Sequence, residues 1–168
     1  MKVEVHYMGT TFVTLEEGIS GNEPGFWMRD AMLELWLRLL ALHLPEPTND
    51  GKHEATLKIR NQWLLASRGY FNGFVPHNME EACATAEGRE VVGIAIESLL
   101  NALRCESTPL DSSTLNLLGF DGIQSATIER QSLQEIGHAF LDLLEGRINC
   151  TAHSTEVMPG SKPYTRAL

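Results

Sequence analysis

Between Glu87 and Cys105 the chain reads EGREVVGIAIESLLNALRC. At the helical step of about 100° per residue, Glu90, Gly93, Glu97, Asn101 and Arg104 share one arc of roughly 80°. Val91, Val92, Ile94, Ala95, Ile96, Leu99, Leu100, Ala102 and Leu103 take most of the remainder, with Ser98 as the polar interruption. A helix that is apolar over about two-thirds of its circumference needs several neighbours to cover it. The pattern therefore predicts the central helix of a helical domain. The β-branched Val91, Val92, Ile94 and Ile96 lean toward a strand, but their wheel placement and the Leu-Leu-Asn-Ala-Leu run favour helix. Thr85 is placed to cap this helix, and Glu87 sits near the positive end of its dipole.

A second long helix is predicted over Phe26–Leu44, with Pro24 in its first turn. Its polar positions again form one narrow stripe: Asp30, Glu34 and Arg38, the last two spaced i,i+4. Arg29 and His43 fall on the apolar side near its two ends, where long or amphipathic side chains reach water. Leu44–Lys52 carries two prolines and a turn cluster, which stop the helix. Thr48 or Asp50 can cap a third helix running to about Ser67, followed by Gly69 as a terminating glycine. Asn78–Glu81 and Ser132–Glu135 have capping-box spacing. The second of these opens an amphipathic helix that ends at Gly146 and buries Leu133, Ile136, Phe140, Leu141, Leu143 and Leu144. Asp111 can cap a short helix over Ser112–Leu118, ended by Gly119.

Strand patterns are fewer. Lys2–Met8 alternates polar and apolar positions, and Thr11–Leu15 can return as its partner across Gly9. Gly18–Gly25 reads as a loop. Ile123–Gln131 fits either an irregular helix or a strand, and Arg147–Met158 has room for another strand. The expected fold is mainly α. A single domain over residues 1–158 forms a helical bundle of four or five principal helices, with a small N-terminal antiparallel β-hairpin packed on it. Residues 159–168 are expected to be a flexible tail.

The chain has 168 residues, 43% of them hydrophobic and 21% charged, which suits one ordinary globular domain. Its formal charge of -9 opposes nucleic acid or an anionic membrane surface as a partner and suits a basic protein. Lys52, Lys58, Arg60 and Arg68 make the one basic segment. Their scatter around the helix reads as pairing with acidic neighbours. Cys83, Cys105 and Cys150 are odd in number and lack CxxC spacing, so neither a disulfide framework nor a zinc site is expected. The N-terminal stretch lacks the apolar core of a secretory signal, and no apolar run reaches about 18 residues, so the expected location is cytoplasmic.

Chemistry-bearing motifs are sparse. Glu135 and His138 form one ExxH pair with Asp142 a turn later, whereas di-iron carboxylate bundles use two such motifs. The three fall on the polar arc of their helix and are expected to face water. The acids after His77, Glu80 and Glu81, are accounted for by the cap. No GxSxG elbow, P-loop or GxGxxG is present, and no cofactor is implied. Tyr70, Phe71 and Phe74 lie in a glycine-rich loop, GYFNGFVP. They can close the core or present a recognition surface, a homodimer contact included. The stripe of Glu90, Gly93, Glu97, Asn101 and Arg104 is either a solvated edge or a groove in which Gly93 admits a partner closely.

The leading expectation is therefore a protein–protein interaction module, of an immunity or inhibitor type that masks a basic partner. One alternative is a small-molecule-binding protein or enzyme with a polar site between helices, formed if the two polar seams face each other. The other is a metal-binding bundle using Glu135 and His138.

Overall fold

The computed structural model describes residues 9–18, 20–46, 52–68, 73–105, 111–119, 128–153 and 158–160. Its elements follow in the order β1 (Thr10–Thr14), β2 (Gly25–Arg29), α1 (Asp30–His43), α2 (Lys52–Ala66), α3 (Met79–Ala82), α4 (Ala86–Cys105), α5 (Ser112–Leu117) and α6 (Arg130–Leu144). This is the mainly α fold with a small hairpin that the patterning predicts. Helices α1, α2, α4 and α6 are its long elements.

Helix α4 is the hub. Val91, Val92, Ala95, Ile96, Leu99, Leu100 and Leu103 point inward, and α1, α2, α3 and α6 all pack on it. Its predicted cap forms, since Thr85 Oγ1 accepts the Gly88 N–H at 3.0 Å. Helix α6 runs antiparallel to it. At one end Arg89 donates to the Leu144 carbonyl (3.1 Å), and at the other Gln134 donates to the Leu103 carbonyl (3.3 Å). Gly137 sets how closely these helices approach: a Cβ there would lie 2.5 Å from Leu100 Cδ2 and 3.1 Å from the Trp36 ring. The solvent arc of α4 is wider than predicted. Ile94 is 42% exposed, and Ala102 is exposed as well. The four packed helices take the inner side and flanks, and no described element crosses the outside.

The aromatic centre joins three elements. Phe26 of β2 meets Phe140 of α6 edge-on at 5.3 Å between ring centroids, and Trp36 of α1 lies 5.6 Å from the same ring.

The hairpin forms, and its second strand corrects the expected start of α1. Lys2–Met8, the expected first strand, lies outside the described residues. Thr10–Thr14 does form a strand, but it pairs antiparallel with Gly25–Arg29, from Thr10↔Arg29 to Thr14↔Gly25. Helix α1 consequently starts at Asp30, not Phe26. Phe26-Trp27-Met28 is apolar at every position, so it satisfies a period of two as well as one of 3.6. Tertiary contacts decide: Phe26 and Met28 enter the core, while Trp27 stacks edge-on with Phe12 at 5.3 Å and donates its indole N–H to the Ala152 carbonyl at 3.0 Å.

An isolated hairpin is marginal in water, and each edge of this one meets another segment. Gly25 N–H donates to the Cys150 carbonyl (2.9 Å), and on the other side Val75 N–H donates to Thr11 Oγ1 (2.8 Å). The strand expected within Arg147–Met158 is not formed over 147–153. That segment runs beside β2 as irregular chain, and residues 154–157 lie outside the described residues.

Two expected capping boxes are also absent. Helix α6 begins at Arg130, which leaves Ser132 buried in its first turn with its N–H on the Glu129 carbonyl. Asn78 adopts a left-handed φ of 51° and makes no side-chain cap. Glu81 turns instead to α2, where Lys58 (2.5 Å) and Gln62 (3.1 Å) bond its carboxylate. The Asp111 cap of α5 does form, with Thr114 N–H on Oδ1 at 2.8 Å. Of Ile123–Gln131, the residues up to 127 lie outside the described residues, and Gln131 belongs to α6. Pro159 is buried, and Gly160 lies against Ile136.

Replacing Gly137 with alanine sets a steric cost against helix propensity. In an open helix the change stabilises by about 0.5–1 kcal/mol. Here the new methyl meets the fully buried Leu100 and Trp36, so a net loss of about 1–3 kcal/mol is expected. Urea unfolding of Gly137→Ala checks it, and a gain in stability would contradict the packing.

Candidate functional site

The two polar seams have opposite fates. The seam of α1 turns inward. Asp30 is 5% exposed, and its carboxylate accepts the Thr11 hydroxyl at 2.7 Å and the Gly73 N–H at 2.6 Å. Two turns on, Arg38 donates to Ser67 Oγ (3.2 Å), to the Ser67 carbonyl (3.0 Å) and to the Leu118 carbonyl. It thereby satisfies carbonyls at the ends of α2 and α5, which lack intrahelical donors. Between them lies Glu34, 8% exposed and without a hydrogen bond or ion pair to the described residues. Burial, reinforced by the Asp30 carboxylate and opposed by Arg38, pushes the Glu34 carboxyl up to about 7.

A second buried polar group ties the segment after α2 to the hairpin. His77 Nε2 bonds the Phe12 carbonyl at 3.0 Å, and Nδ1 accepts the Met79 N–H at 3.1 Å. That pairing specifies the neutral ring protonated on Nε2. Burial holds its pKa below the usual histidine value, against the Phe12 bond and the Glu80 carboxylate 3.6 Å from Nδ1. The Trp63 indole donates to the His77 carbonyl at 3.0 Å. Cys83 nearby in sequence is buried, and burial pushes its thiol up to about 11, so it is not a thiolate nucleophile at neutral pH.

The seam of α4 faces outward. Glu90, Glu97, Asn101 and Arg104 are exposed, and Gly93 is half-buried with no atom within 4 Å of where a Cβ would stand. Glu90 pairs with Lys52 of α2 at 2.8 Å, and Asn101 accepts from Arg104 at 3.3 Å. Glu87 and Glu97 have no ion-pair partner among the described residues. Exposed Ile94 stands on the same side. At its edge His43 Nδ1 and Ser98 Oγ, 2.9 Å apart, join α1 to α4, and the adjoining Leu42 of α1 is 62% exposed. The two seams therefore do not face each other: Asp30 and Glu34 are internal, while Glu97, Asn101 and Arg104 are in water.

The remaining predicted residues are dispersed. Tyr70 and Phe71 lie outside the described residues, and Phe74 is 69% exposed. Glu135 and His138 are exposed, and Asp142 is held by Arg147 at 2.6 Å. Among the described residues no group of three or more His, Cys, Asp or Glu side chains could hold a metal ion, and no helix is long and apolar enough to cross a membrane. The basic segment is largely consumed within the chain: Lys52 and Lys58 pair with Glu90 and Glu81, and Arg60 reaches the Leu44 and Pro45 carbonyls at 3.5 Å. Comparison with protein-family models, curated proteins and solved structures finds no match to this chain.

Sequence reasoning placed the polar face of α4 and its glycine. It missed Leu42, which closes the apolar run Leu39–Leu42, and it missed Thr11 and His77, whose roles depend on contacts distant in sequence.

Because the folded state binds the Glu34 proton more tightly than the unfolded chain does, stability falls as pH rises from 4.5 to about 7. Glu34→Gln should therefore be more stable than wild type near pH 8, by about 1–2 kcal/mol after partial solvent screening. The difference should vanish below about pH 4. His77 has the opposite sign, losing stability as pH falls below 6.5, and it cancels in the comparison of variant with wild type. Chemical denaturation across pH measures both. Gly93→Ala, with open space around it, should stabilise by about 0.5–1 kcal/mol, read as a raised unfolding midpoint.

Proposed function

We propose that this protein is an interaction module of inhibitor type that binds a basic protein partner through the outer face of α4. The observation that carries this reading is an exposed apolar residue, Ile94, beside acids that form no ion pair among the described residues. Glu87 and Glu97 lack ion-pair partners among the described residues, and Gly93 leaves open space on the same face. The face stands on the most supported helix of the fold, so it is presented without an ordering cost at the moment of binding. An apolar anchor inside a charged rim is the usual anatomy of a specific interface. The formal charge of -9 adds long-range attraction for a basic surface.

The small-molecule reading retains one observation, the internal Glu34 with its raised pKa, since such groups cluster at functional sites. A cationic ligand would be needed to hold that carboxylate ionised. An absence of any thermal shift with small amines in wild type, relative to Glu34→Gln, would remove this reading.

The interaction reading is tested by affinity purification from the native cell with wild type, Ile94→Asp and Glu97→Lys side by side. A basic protein should be retained at low salt by wild type and released as salt rises, with both variants losing it. Ile94 and Glu97 are exposed, so both variants should keep the wild-type fold by circular dichroism. Elution of the wild type alone at low salt, or equal retention by all three, would overturn the proposal.

A further inference from the structure

A different surface carries its own pattern. On α2 the exposed side chains include Glu54, Leu57, Asn61, Leu64 and Leu65, and Arg68 is exposed in the turn just past its end. Glu54, Leu57, Asn61 and Leu64 are spaced three, four and three apart, the repeat that keeps side chains on one straight seam of a helix, and Arg68 follows four residues on, in the turn where its N–H bonds the Leu65 carbonyl. The inner side of α2 is separately accounted for by Thr56, Ile59, Trp63 and Ala66. The outward leucines are thus not part of the buried core cluster. Leu57, Leu64 and Leu65 are 38%, 36% and 55% exposed.

The order of chemistries along the seam identifies the occupant. It runs acid, apolar, amide, apolar, base, with Asn61 at the centre. Reversed end for end, this series is its own complement. Arg68 has no ion-pair partner among the described residues. Glu54 forms no ion pair among the described residues, and the neighbouring Lys58, which feels its charge, already bonds Glu81. We infer that α2 pairs antiparallel with α2 of a second copy of this chain, about a two-fold axis at Asn61. In that arrangement the Asn61 amides meet, Leu57 packs on Leu64 and Leu65 of the second copy, and Glu54 meets Arg68 of the second copy, twice over. A parallel pair would instead place glutamate on glutamate and arginine on arginine. A closed two-fold contact requires such self-complementarity, and antiparallel helix dipoles add to it. Two helices of 15 residues bury on the order of 1,000 Å² in total, at the lower limit for a specific interface, so a dimer in the micromolar range is expected. This surface is distinct from the outer face of α4, and the dimer does not depend on the binding role proposed for that face.

Sedimentation equilibrium of the full chain provides the test. Wild type should dimerise reversibly, and Leu64→Ser and Leu65→Ser should each weaken the dimer about tenfold or more. Glu54→Arg alone and Arg68→Glu alone each replace two attractions by two repulsions and should weaken it by about tenfold. The double variant Glu54→Arg/Arg68→Glu should restore wild-type affinity. All of these positions are exposed, and an unchanged far-ultraviolet spectrum with an unchanged monomer unfolding midpoint confirms that only association has moved. A wild type that stays monomeric at about 200 µM, leucine variants that dimerise like wild type, or a double variant no tighter than the single ones would each overturn the inference.

Discussion

The buried carboxylate of Asp30 and its two donors constrain more of this structure than any other contact. Asp30 opens α1, and its oxygens take a hydroxyl from β1 and an amide from the segment that follows α2. The Thr11 oxygen in turn takes Val75 N–H, and Asp30 N–H itself goes to the Gly9 carbonyl. An ionised carboxylate taken out of water costs several kcal/mol unless hydrogen bonds replace its hydration. The hairpin, the start of α1 and residues 73–75 therefore have to come together as a unit. Arg38 repeats the logic farther along the same face, where it holds the ends of α2 and α5. One side of one helix thus fixes the position of segments that share little apolar contact with one another.

The same physics separates the internal, connecting faces from the solvent-facing ones. Asp30 and Arg38 on α1 turn inward and spend their hydrogen-bonding capacity on backbone groups and on the hydroxyls of Thr11 and Ser67. Glu34 is the exception and is left without a partner among the described residues. Polar side chains on α4 face water, with apolar Ile94 among them. On α2 the two sides of a single helix split this way: Trp63 is buried with its indole bonded to the His77 carbonyl, while Leu57, Leu64 and Leu65 look outward. The outer sides of α4 and α2 are thus the two surfaces on which the proposed binding face and the proposed pairing seam rest.

The long helices were legible from the chain alone because their apolar positions recur at a helical period over many residues. α4 and α6 show this most clearly. The caps at Thr85 and Asp111 were legible too, as each depends on residues three apart. Where two local signals competed, the outcome was not readable. Phe26-Trp27-Met28 suits helix and strand equally, and it became strand because Phe12, Ala152 and Cys150 supply partners across the sequence. The Asn78 and Ser132 boxes had the right spacing and still did not form, because Asn78 is held in a left-handed conformation while Glu81 is drawn to Lys58 and Gln62, and α6 acquired an extra N-terminal turn.

Helical wheels for α1 and α4 each show one narrow polar stripe, and nothing in either stripe marks which one is internal. Periodicity records that a face is polar. It does not record whether water or backbone donors stand opposite it, since both satisfy a carboxylate. The sequence by itself therefore determined the mainly α class, the hub helix and the existence of two polar seams. Only the tertiary structure decided that Asp30 and Arg38 are internal connectors and that Glu90, Glu97, Asn101 and Arg104 are surface. The physical reason is that this choice rests on contacts between residues far apart in the chain, such as Thr11 with Asp30 and Arg38 with Leu118, which no local pattern encodes.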